Sequence, residues 1–166
     1  MNVIARAMQA AWNEARKPIG YVKGDEFENF VRKAIFPDSY YVLLSKTHDY
    51  ITNKADFVAA SKEPDFKFKS RASGKEFYVE VKYRYGFHEG MIDWCKPYQL
   101  KRYQEINAKI PVYIVLGIGG QPGMPETICL IPVRHIRFTR LYPSILKKYQ
   151  ISSHNPLHEN ELTALL

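Results

Sequence analysis

Between residues 63 and 83 apolar and polar positions alternate in two runs, each with the two-residue period of a strand that turns one face to the core. In Glu63-Pro64-Asp65-Phe66-Lys67-Phe68 the two phenylalanines share a side, and in Phe77-Tyr78-Val79-Glu80-Val81-Lys82-Tyr83 the residues Phe77, Val79, Val81 and Tyr83 do. The opposite sides carry Asp65, Lys67 and Lys69 in the first run and Tyr78, Glu80 and Lys82 in the second. The short polar stretch Ser70-Arg71-Ala72-Ser73-Gly74-Lys75 joins them as a β-hairpin.

The rest of the pattern supplies the surrounding elements. Residues 1 to 17 read as an amphipathic helix with Ile4, Ala7, Met8, Ala11 and Ala15 on one side. A second helix is expected over 25 to 35, with Phe27, Phe30, Val31, Ala34 and Ile35 as its buried stripe and Pro37 marking its end. Tyr40 to Lys46 is an apolar strand; 47 to 63 are polar and irregular, with room for a helical turn at Asp56 to Ala60. After a glycine-containing loop from Arg84 to Cys95, Pro97 opens a helix to about Lys109. Val112 to Ile118 is apolar throughout, as a strand covered on both faces is. A turn-rich loop, a last strand at Ile128 to Val133 and a short helix at Pro143 to Tyr149 follow, while 151 to 166 has weak signals and is expected to be partly disordered. The order is that of an α/β fold with a mixed sheet. It reads as one domain over 1–166: a helical extension at 1–20, a core at 21–133 and a basic extension at 134–166.

Residues opposite each other across a hairpin point to the same side, so the face assignment also fixes the register. The closest register pairs Phe68 with Phe77 and Phe66 with Val79, and it sets Asp65 opposite Glu80, with about 5 Å between their Cβ atoms. Two carboxylates that close repel unless a cation or a shared proton lies between them. One or two carboxylates, with water and substrate phosphate oxygens, are what Mg²⁺ prefers, and Lys82 lies about 7 Å further along the same face.

Pro64-Asp65, fourteen intervening residues and Glu80-Val81-Lys82 resemble the signature of the PD-(D/E)xK nuclease superfamily, which includes restriction endonucleases, Holliday-junction resolvases and recombination exonucleases. Lys23-Gly24-Asp25-Glu26-Phe27-Glu28 is similar to the start of that superfamily's first helix, whose glutamate approaches the metal; Glu28 is the matching position. Gln99-Leu100-Lys101-Arg102-Tyr103 matches the QxxxY motif of its exonuclease-like and resolvase-like branches. The resemblance covers residues 23 to 132. It implies a restriction-endonuclease-like αβββαβ core and a Mg²⁺-dependent deoxyribonuclease, with Mn²⁺ as a substitute, acting in DNA repair, recombination or restriction and leaving 5′-phosphate and 3′-hydroxyl ends. Asp65, Glu80, the Val81 carbonyl and Glu28 would hold the metal, and Lys82, Gln99 and Tyr103 would complete the catalytic set. Lys67, Lys69, Arg84, Lys101 and Arg102 are the candidate nucleic-acid contacts.

Each element also has a plainer reading. A Glu-x-Lys on an amphipathic strand is commonly solvated surface, Glu28 fits the third helical position after an Asp25 cap, and Gln99 and Tyr103 fit the rim of a core. The conjunction of these signals, in order and on the right element types, favours the nuclease. A nuclease-fold module that binds nucleic acid or a protein partner without cutting stays open beside it.

Composition changes the picture in two places. Residues 95 to 150 carry nine Lys or Arg against Glu105 and Glu126, while the rest of the chain nearly cancels, so the net charge of +7 is concentrated where it suits a polyanion. Cys95 and Cys129 form no disulfide framework or zinc pattern, and of five scattered histidines only His88 could overlook the site. No apolar run is long enough for a membrane helix, the chain start lacks a secretory signal, and its basic, alanine-rich character resembles an organelle-targeting peptide only weakly, so the cytoplasm is the expected location. There is no separate reader of sequence, which leaves duplex, single-stranded, branched and RNA substrates, a homodimer and a specificity-supplying protein partner all open.

Overall fold

The computed structural model describes residues 3–4, 7–8, 19–47, 62–152 and 155–165. Residues 3, 4, 7 and 8 are helical, while the rest of the expected N-terminal helix and the turn at 56–60 lie outside the described residues. The chain then forms α1 (Ile19–Phe30), continued by a π turn over Val31–Ile35, β1 (Tyr41–Lys46), β2 (Phe66–Ser70), β3 (Glu76–Arg84), β4 (Ile92–Asp93), α2 (Pro97–Asn107), β5 (Val112–Ile118) and β6 (Thr127–Pro132). Beyond these come β7 (Arg140–Leu141), α3 (Pro143–Leu146), β8 (Gln150–Ile151) and α4 (Glu159–Ala164). The αβββαβ order expected from the sequence is present.

Among the described residues six strands form one sheet in the order β1-β2-β3-β5-β6-β8, and β4 and β7 make a separate pair. The β1-β2 and β2-β3 neighbours run antiparallel, β3 and β5 run parallel, and β5-β6 and β6-β8 run antiparallel, so the sheet is mixed. The parallel step needs a crossover, and α2 supplies it. Phe66 pairs with Val79 and Phe68 with Phe77, the register that the alternation requires.

The sheet separates two cores. Phe66, Phe68, Phe77, Val79, Val81, Tyr113 and Val115 pack with Phe27, Val31 and Ile35 of the first helical segment and with Leu157 and Leu162 from the C-terminal end. Tyr78, Ile114 and Leu116 point to the other side, where Trp94, Leu100, Tyr103, Ile136 and Leu146 cover them. β5 is buried along its whole length, as its apolar run predicts. The expectation of a half-buried β3 is corrected: α2 docks over its polar face, so Phe77 through Val81 are all buried.

Two further expectations change. α1 begins at Ile19, so Asp25 is interior and Glu28 has no capping role; Gly20 and Gly24, poor helix formers, hide the first turns from a propensity reading. The C-terminal stretch is ordered over 155–165: Leu157 N–H donates to the Ile35 carbonyl at 3.0 Å, and Leu157 and Leu162 are buried. Its apolar residues are few, but Tyr41 and Tyr113 hold it by donating to the Leu157 and Leu162 carbonyls at 2.8 and 3.2 Å.

Candidate metal and phosphodiester site

Asp65 precedes β2 by one residue, so the β2-β3 register carries it to the position opposite Glu80. The Val81 N–H donates to Asp65 Oδ2 at 2.8 Å, which ties the carboxylate to the strand that bears Glu80. Glu80 is only 1% exposed, so the solvated-surface reading of the Glu-x-Lys does not hold. Two residues further along the same face, Lys82 Nζ lies 2.5 Å from Glu80 Oε1. The second Glu80 oxygen, Oε2, is buried and has no hydrogen-bond partner.

Electrostatics follow from that crowding. Burial, then the Glu80 charge and more weakly Glu28, push the Asp65 carboxyl well above the usual carboxylate range, against the opposing pull of Lys82 and the Val81 N–H. Burial disfavours the Lys82 ammonium, but Glu80 and Asp65 outweigh it and hold its pKa above the ordinary lysine value. Lys82 is therefore a cation at neutral pH, suited to steadying negative charge and unsuited to abstracting a proton.

Of the other candidates, Glu28 and Tyr103 act on this centre, while the side-chain contacts of Gln99 and Arg102 are with other residues. Glu28, on α1, is near enough to act on Asp65 and forms an ion pair with Lys46 at 3.0 Å. Tyr103 is fully buried with its hydroxyl toward Glu80, and burial followed by the Glu80 charge raises its pKa far above the usual phenol range. Gln99 turns its Oε1 to the Lys96 N–H at 2.9 Å and caps the start of α2. Arg102 borders a groove of about 290 Å³ with Tyr78 and Glu105, and its guanidinium lies 5.4 Å from the Tyr103 ring.

Lys101 and Lys69 are exposed. Lys67 pairs with Glu76 at 2.7 Å. Arg84 is drawn inward instead: its donors reach the carbonyls of Asp93, Tyr83 and Trp94 at 2.7, 2.9 and 3.0 Å, which clamps the β4 segment against the end of β3. His88 sits on an exposed turn whose backbone pairs with Met91.

Two residues beside the site were not singled out by sequence reasoning. Trp94 stacks on Tyr103 with 6.4 Å between ring centroids, and its indole donates to the Phe138 carbonyl at 3.0 Å. Cys95 lies within electrostatic reach of Lys82 and Glu80, and burial pushes its thiol up to about 12. Neither stands in a motif; only the return of the β4 segment alongside β3 brings them in.

Among the described residues no group of three or more His, Cys, Asp and Glu side chains forms a ready-made metal cage. A hard divalent ion does not need one, since water and phosphate oxygens complete its shell. A buried carboxylate oxygen without a partner, facing a second carboxyl whose pKa is raised by burial and by the Glu80 charge, fits such an ion.

No family model matches the chain, and no curated protein does. Among solved structures it is similar to the Hjc Holliday junction resolvase of the archaeal hyperthermophile Archaeoglobus fulgidus, at 11% identity and a TM-score of 0.48, over 76% of this chain and 88% of that one.

Proposed function

We propose that this chain is a metal-dependent nuclease of the PD-(D/E)xK type that hydrolyses DNA phosphodiester bonds. The observation that carries this reading is Glu80: a buried carboxylate facing Asp65, with one oxygen on Lys82 and the other unpartnered. Asp65, Glu80 and the Val81 carbonyl would hold Mg²⁺ or Mn²⁺, with Glu28 reaching it directly or through water. The bound ion would lower the pKa of the attacking water and polarise the phosphoryl oxygen. Lys82 keeps its proton and supplies a fixed positive charge where the phosphorane-like transition state gathers negative charge. Tyr103, protonated and packed under Trp94, orients Glu80. Gln99 fixes the start of α2 and so the placing of Tyr103 one turn on. Lys69, Lys101 and Arg102 offer the phosphate contacts, with Lys67 in reserve behind Glu76 and Arg84 acting through the segment it clamps.

The test is cleavage of labelled duplex, single-strand, flap, four-way-junction and RNA substrates with Mg²⁺ or Mn²⁺. Metal-dependent cutting is expected on at least one DNA form. Asp65→Ala should remove it, and Lys82→Ala should abolish cutting while DNA binding persists. An undiminished rate in Lys82→Ala sinks the assignment.

A second reading, a nuclease-fold module that binds without cutting, is favoured by one feature: Lys82 and Lys46 already neutralise part of the acidic set. Calorimetry with Mg²⁺ separates the two, because a decayed site releases little heat.

A further inference from the structure

On the side of the sheet that bears Glu80, Met91, Phe138, Arg140, Tyr142 and Ile145 line a groove of about 430 Å³. Phe138 is 71% exposed and Tyr142 58%, and Ile145 adds part of its surface. Isolated exposed apolar side chains need no explanation, but two aromatic rings gathered with Met91 and Ile145 around one groove mark a binding surface. Their setting is strongly charged: residues 127 to 158 contain five Lys or Arg and no Asp or Glu. Arg134, Arg137, Lys147 and Lys148 of that stretch are exposed. Arg140 is the exception, balanced by Glu89 at 3.1 Å and Asp93 at 3.2 Å from the facing segments.

The charge decides what can occupy the groove. A second copy meeting it across a two-fold axis would bring the same cations together, which disfavours self-docking. A polyanion with flat apolar faces satisfies both the rings and the cations, and nucleic acid presents such faces only where its bases are unpaired. We infer that this groove is a stacking platform for unpaired bases of a nucleic-acid strand, with Phe138 and Tyr142 as its rings and Arg137, Lys147 and Lys148 as its phosphate contacts.

The platform is joined to the candidate site by backbone. Trp94 N–H and indole donate to the Thr139 and Phe138 carbonyls, each at 3.0 Å, and Ile92 and Asp93 pair with Leu141 and Arg140. From the β4-β7 pair to Cys95, beside Lys82, is two or three residues, about 10 Å at most. A strand whose bases stack on Phe138 and Tyr142 thus lies beside the position where its phosphodiester would be cut. The inference rests on the chain binding nucleic acid and not on its cutting it.

Fluorescence anisotropy of the full chain in EDTA tests it, with labelled single-stranded DNA, an abasic strand of equal length and a duplex. The Phe138→Ala/Tyr142→Ala variant should bind the base-bearing strand at least tenfold more weakly, with the abasic strand and duplex little changed. Phe138→Trp should keep wild-type affinity, which separates stacking from a packing defect. An equal loss on the abasic strand, or no loss at all, overturns the platform. So does a wild-type dimer in sedimentation that the alanine variant splits, which would give the groove to a second copy. Cleavage plays no part in the readout, so a failure of the nuclease reading appears separately in the substrate panel.

Discussion

Asp65 and Glu80 face each other in a buried position where each charge raises the cost of the other, and Lys82 and the Val81 N–H offset part of it. Such a pair is a standing cost to the fold that a bound divalent ion would relieve. In EDTA the folded protein retains its Asp65 proton at a pH where the unfolded chain, with an ordinary pKa of about 3.9, has lost it. The folded state then binds more protons than the unfolded one, so the contribution of Asp65 to stability is largest at acid pH and falls as pH rises toward its raised folded value. Asp65→Asn does not titrate, so its urea midpoint should exceed that of the wild type at neutral pH, converge with it in acid, and lose its advantage when Mg²⁺ is added. A midpoint difference independent of pH contradicts this account. The facing pair was legible in the sequence because strand alternation dictates it. The burial of Glu80 was not, because it depends on α2 docking over a face that alternation alone assigns to solvent. Trp94 and Cys95 stayed hidden for the same kind of reason, since a non-local strand pair, β4 with β7, positions them.

The elements hold this geometry through a few close approaches. Phe27 of α1 lies over β5 at Gly117, where an added Cβ would come within 2.5 to 3.0 Å of the ring atoms. Phe27 is wholly buried and also packs on Tyr83 at 5.7 Å, so its ring has no free direction in which to yield. Gly117→Ala should therefore cost about 1–3 kcal/mol in denaturant titrations. Because Glu28 follows Phe27, the variant should also disturb the charge environment of Asp65. The continuous apolar run from Val112 to Ile118 announced a strand covered on both sides, but no local pattern says which helix needs the missing side chain. The C-terminal stretch is a second case. Truncation after Ser152 would expose the partners of Leu157 and Leu162 and leave the Tyr41 and Tyr113 hydroxyls without their acceptors. Two buried leucines and two lost hydrogen bonds amount to a loss of about 4–9 kcal/mol, enough to unfold a marginal domain. Soluble, cooperatively folding truncated protein would show this docking to be dispensable.

Across the whole molecule the sheet sorts charge as well as apolar residues. α1 and its π turn balance Asp25, Glu26 and Glu28 with Lys23, Arg32 and Lys33, and α4 adds Glu159 and Glu161, so the face they cover carries no excess of positive charge. The basic stretch from Lys96 to Lys148 runs through α2, β7 and α3 on the other, where Glu80 and Lys82 also point. A charge imbalance readable along the sequence thus becomes one between the two sides of the molecule, with the candidate site on the basic side. Binding of single-stranded DNA should accordingly weaken steeply with salt, since each phosphate neutralised releases condensed counterions and contributes about 0.7 to the slope of log K against log salt. Lys147→Gln/Lys148→Gln should lower that slope by about 1.4, while Lys33→Gln, an exposed lysine of the first helical segment, should leave it unchanged. Equal slope changes from both would mean that the strand senses only net charge; a change confined to the Lys147/Lys148 variant would place its phosphates along the basic side.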